Sequence, residues 1–137
     1  MKKILILCTG NSCRSQIAHG FLDHLTNNSV SVFSAGIEKH GLNKNAVKCM
    51  AKIGLDISNY NSNHIDEYIN ESFDFIITVC DNAKERCPYF PSNAIKFHYN
   101  FPDPAKATGT EEEINNSFAS TRDLIKKYCA DFVQQHL

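Results

Sequence analysis

Cys8, Arg14 and the residues between them, Thr9, Gly10, Asn11, Ser12 and Cys13, are the densest group of reactive and anion-binding side chains in the sequence. A thiol followed by a guanidinium, with Ser15 next in line, suits nucleophilic attack on a tetrahedral oxyanion. The loop carries no acid, and Gly10 and Asn11 tolerate the left-handed backbone angles that turn successive N–H groups toward one point. A helix expected from Arg14 onward aims the positive end of its dipole at the same place. Four oxyanion oxygens would then be met by backbone donors and by the planar guanidinium of Arg14. Those dipoles favour thiolate over thiol at Cys8, and Ser15 can donate a hydrogen bond to its sulfur.

The spacing alone is not specific, because Cys80 and Arg86 repeat it. There, however, Asp81 and Glu85 would repel an anion, and no glycine lets the backbone curl inward. Cys13 lies inside the first loop, where it either packs behind the nucleophile or traps it as a protective disulfide. Cys49 and Cys129 fall on apolar helical stripes and read as core. His40, Tyr60, His64 and His98 are isolated and receive no role.

Stepping outward, Lys3 to Leu7 is a short apolar strand, and Ile17, Phe21 and Leu25 mark one face of the helix that follows the loop. Val30 to Ser34 reads as a second strand, ended by Gly36. Asn43 caps a helix with Ala46, Met50 and Ile53 inward and Gly54 at its end. Ser62 is expected to cap a short helix carrying Ile65 and Ile69. Phe73 to Val79 is a buried strand that delivers Cys80 at its carboxyl end. A weaker strand holds Ile95, Phe97 and Tyr99. A Thr110/Glu113 capping box opens a long final helix whose inner face holds Ile114, Phe118, Ile125, Cys129 and Phe132. Strands alternating with helices imply an α/β protein with a parallel sheet covered on both faces, and ligands gather at the carboxyl ends of such strands. Cys8 and Cys80 both fall there.

The 137 residues show no repeat, linker or low-complexity tract, so one domain over 1–137 is expected. Lysine plus arginine number 14 against 15 acids, a balance that recruits neither nucleic acid nor an anionic membrane. The apolar run after Lys2 and Lys3 is too short for a signal-peptide core or a membrane span, which reads as a cytoplasmic protein. In that compartment the six cysteines should be reduced at rest.

The octet CTGNSCRS resembles the phosphate loop of the low-molecular-weight protein tyrosine phosphatase superfamily. The likeness continues through SAGIEKHG, LDISN, DFIITVCD and FPDPAKATGTEEE, and it is closest to the thioredoxin-coupled arsenate reductases of that superfamily. The resemblance implies a three-layer α/β/α, flavodoxin-like fold with four parallel strands in the order 2-1-3-4. It implies reduction of arsenate to arsenite, with phosphate or sulfate as further ligands of the loop. It assigns Asp103 as the general acid that protonates the departing oxygen. It gives Cys80 the attack on the Cys8–arsenic adduct and Cys87 the subsequent attack on Cys80. No bound cofactor is implied; having both Cys80 and Cys87 favours thioredoxin over a glutaredoxin with glutathione as the external reductant, and a monomer is expected.

If residues 81–87 are helical, Cys80 and Cys87 stand about 10.5 Å apart, whereas a disulfide needs Cα atoms within about 4.4–6.8 Å. Joining them would require that segment to unwind. The chief alternative function is a low-molecular-weight protein tyrosine phosphatase. Against it, Ala105, Lys106 and Ala107 stand where such phosphatases border their slot with aromatic residues. A four-thiolate zinc site on Cys8, Cys13, Cys80 and Cys87 has poor spacing, and a phosphocysteine carrier domain would not need Arg14 and Asp103. Several relatives bind potassium near the loop through acids at the positions of His19 and Asn63. With those acids replaced, little potassium dependence is expected, and Asn11 and Ser34 remain as neutral ligands or as braces for the loop.

Overall fold

A computed structural model of the protein describes residues 1–81 and 88–137. Four parallel strands, β1 (Lys3–Cys8), β2 (Ser31–Gly36), β3 (Phe75–Thr78) and β4 (Ile95–His98), form one sheet in the order β2-β1-β3-β4. Among the described residues three α-helices, α1 (Arg14–Leu25), α2 (Lys44–Ala51) and α3 (Glu111–His136), follow β1, β2 and β4 respectively. This is the α/β topology the resemblance implies.

Each element forms for a local reason. β1 lies at the centre, and Ile4, Leu5, Ile6 and Leu7 are all fully buried. Ile4, Ile6 and Cys8 face one side of the sheet, Leu5 and Leu7 the other, which is why the run is continuously apolar rather than alternating. Burial of each such side chain contributes roughly 1.5–3 kcal/mol. On the first side α1, α2 and α3 pack through Ile17, Phe21, Met50, Phe118, Ile125 and Phe132. On the second, Ile65, Phe73 and Phe90 cover the sheet among the described residues. Asn43 caps α2, its side chain accepting from the N–H groups of Asn45 and Ala46, and Thr110 and Glu113 cap α3 reciprocally.

Several expectations need correction. α2 ends at Ala51, so Ile53 lies past the helix and is 39% exposed instead of inward. Ser62 caps no helix. His64 takes that place, its ring accepting from the N–H of Asp66, at the start of a one-turn 3-10 helix over Ile65–Tyr68. That helix stops before Ile69, which is exposed. β3 is shorter than Phe73 to Val79, because only Phe75 to Thr78 pair on both sides. At the β4 edge Ile95 and Tyr99 are exposed, which leaves Phe97 as its inward residue. Among the described residues no helix is long and apolar enough to cross a membrane.

Candidate active site

Cys8 ends β1 and Arg14 begins α1, so residues 9–13 make the whole turn. The carbonyls of this loop are held from outside. Thr9 O accepts from Glu38 N at 3.1 Å, and Gly10 O from His40 N at 3.0 Å and from Ser62 Oγ at 3.2 Å. Asn11 O accepts from Gln16 Nε2 at 3.0 Å, Ser12 O from Asn43 N at 3.0 Å, and Cys13 O from Ile17 N at 2.9 Å. With the carbonyls drawn outward, the planar peptides turn their opposite edge, and with it N–H donors, toward the loop's interior. Asn11 supplies the required left-handed turn, at φ 45°. Its fully buried side chain accepts from Asn63 N at 2.7 Å and donates to Ser15 Oγ at 2.8 Å.

The loop rests on β2 at Gly36, where a Cβ would fall 2.5 Å from Thr9 O. Only glycine permits that approach. Above it, the His40 ring lies against Gly10, where a Cβ would come within 2.2 Å of His40 Nδ1.

The turn encloses a cavity of about 210 Å³ lined by Cys8, Thr9, Gly10, Ser12, Cys13, Arg14, His40, Asp103, Ala105 and Lys106. α1 enters this cavity with no side-chain cap on its first N–H groups and no acid in its first turn. Uncapped helical N–H groups and the aligned dipole favour an anion at that point. The Arg14 guanidinium is buried, donates from Nη1 to Phe101 O at 3.1 Å, and places Nη2 3.6 Å from Asp103 Oδ2. Asp103 Oδ1 accepts from Ala105 N at 3.0 Å, which caps the 3-10 helix Pro104–Lys106 and fixes the carboxyl at the cavity wall. Cation and acid thus share one cavity with the thiol.

Of the residues singled out in the sequence, the cavity brings together Cys8, Thr9, Gly10, Ser12, Cys13, Arg14 and Asp103, with Asn11 and Ser15 directly behind it. Cys80 follows β3, whose Thr78 pairs with Leu7 and whose next residue, Val79, donates to Leu7 O at 3.0 Å. Cys8 and Cys80 therefore sit at the ends of neighbouring strands and join the same side of the core. Cys80 is disulfide-bonded, while Cys8, Cys13, Cys49 and Cys129 form no disulfide. Cys87 and the expected helix over 81–87 fall largely on residues 82–87, outside the described residues.

Burial, followed by the Asp103 carboxylate, pushes the Cys13 thiol well up, and Arg14 only partly opposes them. Cys13 therefore stays protonated where a catalytic thiol must ionise. Burial likewise raises Cys49 and Cys129, in keeping with core packing. His19 Nδ1 lies 3.0 Å from Ser34 Oγ and Nε2 lies 3.4 Å from Asp23 Oδ2. Asn63 is tied to Asn11 and, through Nδ2, to Ser34 O at 3.4 Å. Asn11 and Ser34 thus hydrogen-bond the side chains packed behind the loop.

Sequence reading passed over four residues that the fold uses. His40 walls the cavity, Tyr60 donates to Asp23 Oδ2 at 2.7 Å, His64 caps a helix and His98 bonds Thr78. Only the stretch SAGIEKHG hinted at His40, since it places that residue just past the strand neighbouring Cys8.

Fold and loop together define a class: residues 3–137 match the family model described as low molecular weight phosphotyrosine protein phosphatase, and the chain belongs to that family. Within it, the chain is 48% identical over 124 residues to an arsenate reductase of Oceanobacillus iheyensis, covering 90% of this chain and 89% of that one. It is 46% identical over 133 residues to an arsenate reductase of Bacillus subtilis, covering 97% and 96%. A solved arsenate reductase in the phosphate binding state superposes with a TM-score of 0.81 at 27% identity, over 98% of each chain.

Proposed function

We propose that this protein reduces arsenate to arsenite with thioredoxin as electron donor. The observation that carries the reading is the placement of two sulfurs: Cys8 and Cys80 share one side of the sheet at the ends of adjacent strands, and Cys80 is disulfide-bonded while Cys8 forms no disulfide. That is the thiol state expected at the end of a relay that regenerates the nucleophile. The arsenate reductases among its relatives support the substrate.

In the proposed cycle arsenate sits in the loop, its oxygens held by backbone N–H groups and by Arg14. The Cys8 thiolate, stabilised by the same donors and by Ser15, attacks arsenic in line, and Asp103 protonates the oxygen that leaves as water. Cys80 then attacks the Cys8 sulfur. The electron pair of the sulfur–arsenic bond goes to arsenic, which departs as arsenite, and a Cys8–Cys80 disulfide remains. Cys87 attacks Cys80 and frees Cys8, and thioredoxin reduces the Cys80–Cys87 disulfide. A phosphatase would need water in place of Cys80, so the two functions separate at that thiol.

The test is NADPH consumption with arsenate, thioredoxin and thioredoxin reductase, run beside hydrolysis of a small aryl phosphate. Cys8→Ser should abolish both activities. Cys80→Ser and Cys87→Ser should each stop arsenate turnover at least a hundredfold while leaving aryl phosphate hydrolysis within about twofold. Equal loss of both activities in the last two variants would return the protein to the phosphatase reading.

A further inference from the structure

The relay leaves one lining group of the anion cavity without a part. Arg14 faces Asp103 across 3.6 Å, and His40 Nε2 pairs with Glu38 Oε2 at 2.7 Å. Lys106 also lines the cavity, yet its ammonium makes no ion pair and no hydrogen bond among the described residues. Its backbone is not loose. Lys106 N donates to Asp103 O at 3.2 Å, so the lysine is anchored on the same turn as the acid.

The charges of the cavity make this lysine matter. A Cys8 thiolate at the floor offsets Arg14 whether or not Asp103 carries the proton it donates, and Glu38 offsets any charge on His40. A doubly charged oxyanion would enter a cavity with no surplus cation if Lys106 were removed. The whole chain does not compensate, because its formal net charge is −1. Local cations in a low-dielectric cleft focus the field that draws an anion in, and an ammonium on a flexible stem acts there as a point charge. Oxygens of an anion seated in the loop would meet N–H groups and Arg14, and the oxygen facing outward would meet Asp103 and the Lys106 turn at the cavity wall. In a free oxyanion that outer corner carries charge. In an aryl ester it carries an apolar group.

We propose that Lys106 is a substrate-binding and specificity-determining residue, whose ammonium captures the outer oxygen of a free inorganic oxyanion and so favours it over a phosphate ester. The inference rests on the arsenate reductase reading for its substrate, but its binding arm does not. Protection of Cys8 from iodoacetamide by inorganic phosphate reports anion affinity without any turnover. At low ionic strength Lys106→Ala should weaken that protection and lower kcat/KM for arsenate about tenfold, and Lys106→Glu further, while Lys106→Arg stays within about threefold of wild type. At 1 M salt, where the screening length is about 3 Å, the variants should converge. Aryl phosphate hydrolysis, whose ester group takes the outer corner, should fall by a smaller factor than arsenate turnover in Lys106→Ala. Unchanged phosphate protection in Lys106→Ala and Lys106→Glu, or losses that persist at high salt, would overturn the proposal. A wild-type enzyme that binds phosphate but does not turn over arsenate would overturn the reading beneath it and leave the anion-capture role standing on its own measurement.

Discussion

At Asn11 a single neutral side chain sets both the shape of the loop and the neighbour of the nucleophile. Its φ of 45° suits asparagine, aspartate or glycine, its carbonyl holds Asn63 N, and its amide donates to Ser15 Oγ. Because the amide fills a lone pair of Ser15, the hydroxyl proton is left to point elsewhere, and Cys8 is the sulfur it was expected to serve. Asn11→Asp keeps the backbone angle and the acceptor for Asn63 N, but it places a carboxylate behind an anion site and draws the Ser15 proton toward itself. Phosphate protection of Cys8 should fall at least tenfold, with the circular dichroism of the fold retained. Unaltered protection would show that the brace does not set anion affinity. The octet was legible in the sequence because its parts are contiguous and chemically unusual together. His40 was not, since its contact with Gly10 is made only after β2 is laid beside β1, and a histidine four residues past a strand carries no signal by itself.

Caps mark the helices whose starts could be read directly. Thr110 accepts from Glu113 N at 3.1 Å and Glu113 returns a bond to Thr110 N at 3.2 Å, so two of the four orphan N–H groups of α3 are met. Thr110→Ala should cost about 1 kcal/mol, which for a chain of this size lowers Tm by roughly 3–5 °C. Thermal melting of the variant checks it, and Thr110→Ser should recover most of the loss. Helix ends were read less well. Ile53 and Ile69 continue an apolar spacing past the last helical residue, where Ile53 N reaches only Met50 O and Ile69 N only Asp66 O, and nothing in their residue type reports that the chain has already turned. Ser62 looked like a cap because hydroxyls often are. Its hydroxyl instead reaches Gly10 O, a tertiary partner that no local pattern announces. The strand order is implied by the family resemblance and not by the apolar runs themselves, while the short pairing length of β3 depends on neighbours distant in the chain.

Across the whole molecule positive and negative charges nearly balance, so pH acts through particular groups and not through general repulsion. His19 is the clearest of these, because it ties α1 to β2 through Ser34 and shares Asp23 with Tyr60, whose ring lies 4.5 Å from its own. Burial lowers the pKa of His19 below its ordinary 6.5, with Asp23 opposing, and burial also raises that of Tyr60, as does the bond it donates to Asp23. In the unfolded chain the imidazole takes up its proton first as pH falls through about 6.5, while the folded protein resists until its own lower value is reached. Between those two points the unfolded state binds more protons, and stability falls with pH; above 6.5 both states are neutral and this group adds no slope. His19→Gln keeps an amide able to meet Ser34 and removes the titration. Urea unfolding at pH 7.5, 6.5 and 5.5 should therefore show wild type losing more stability on acidification than His19→Gln does. Parallel pH profiles for the two proteins would mean that the imidazole is equally easy to protonate in both states, and that the cluster behind the loop carries no proton linkage to folding.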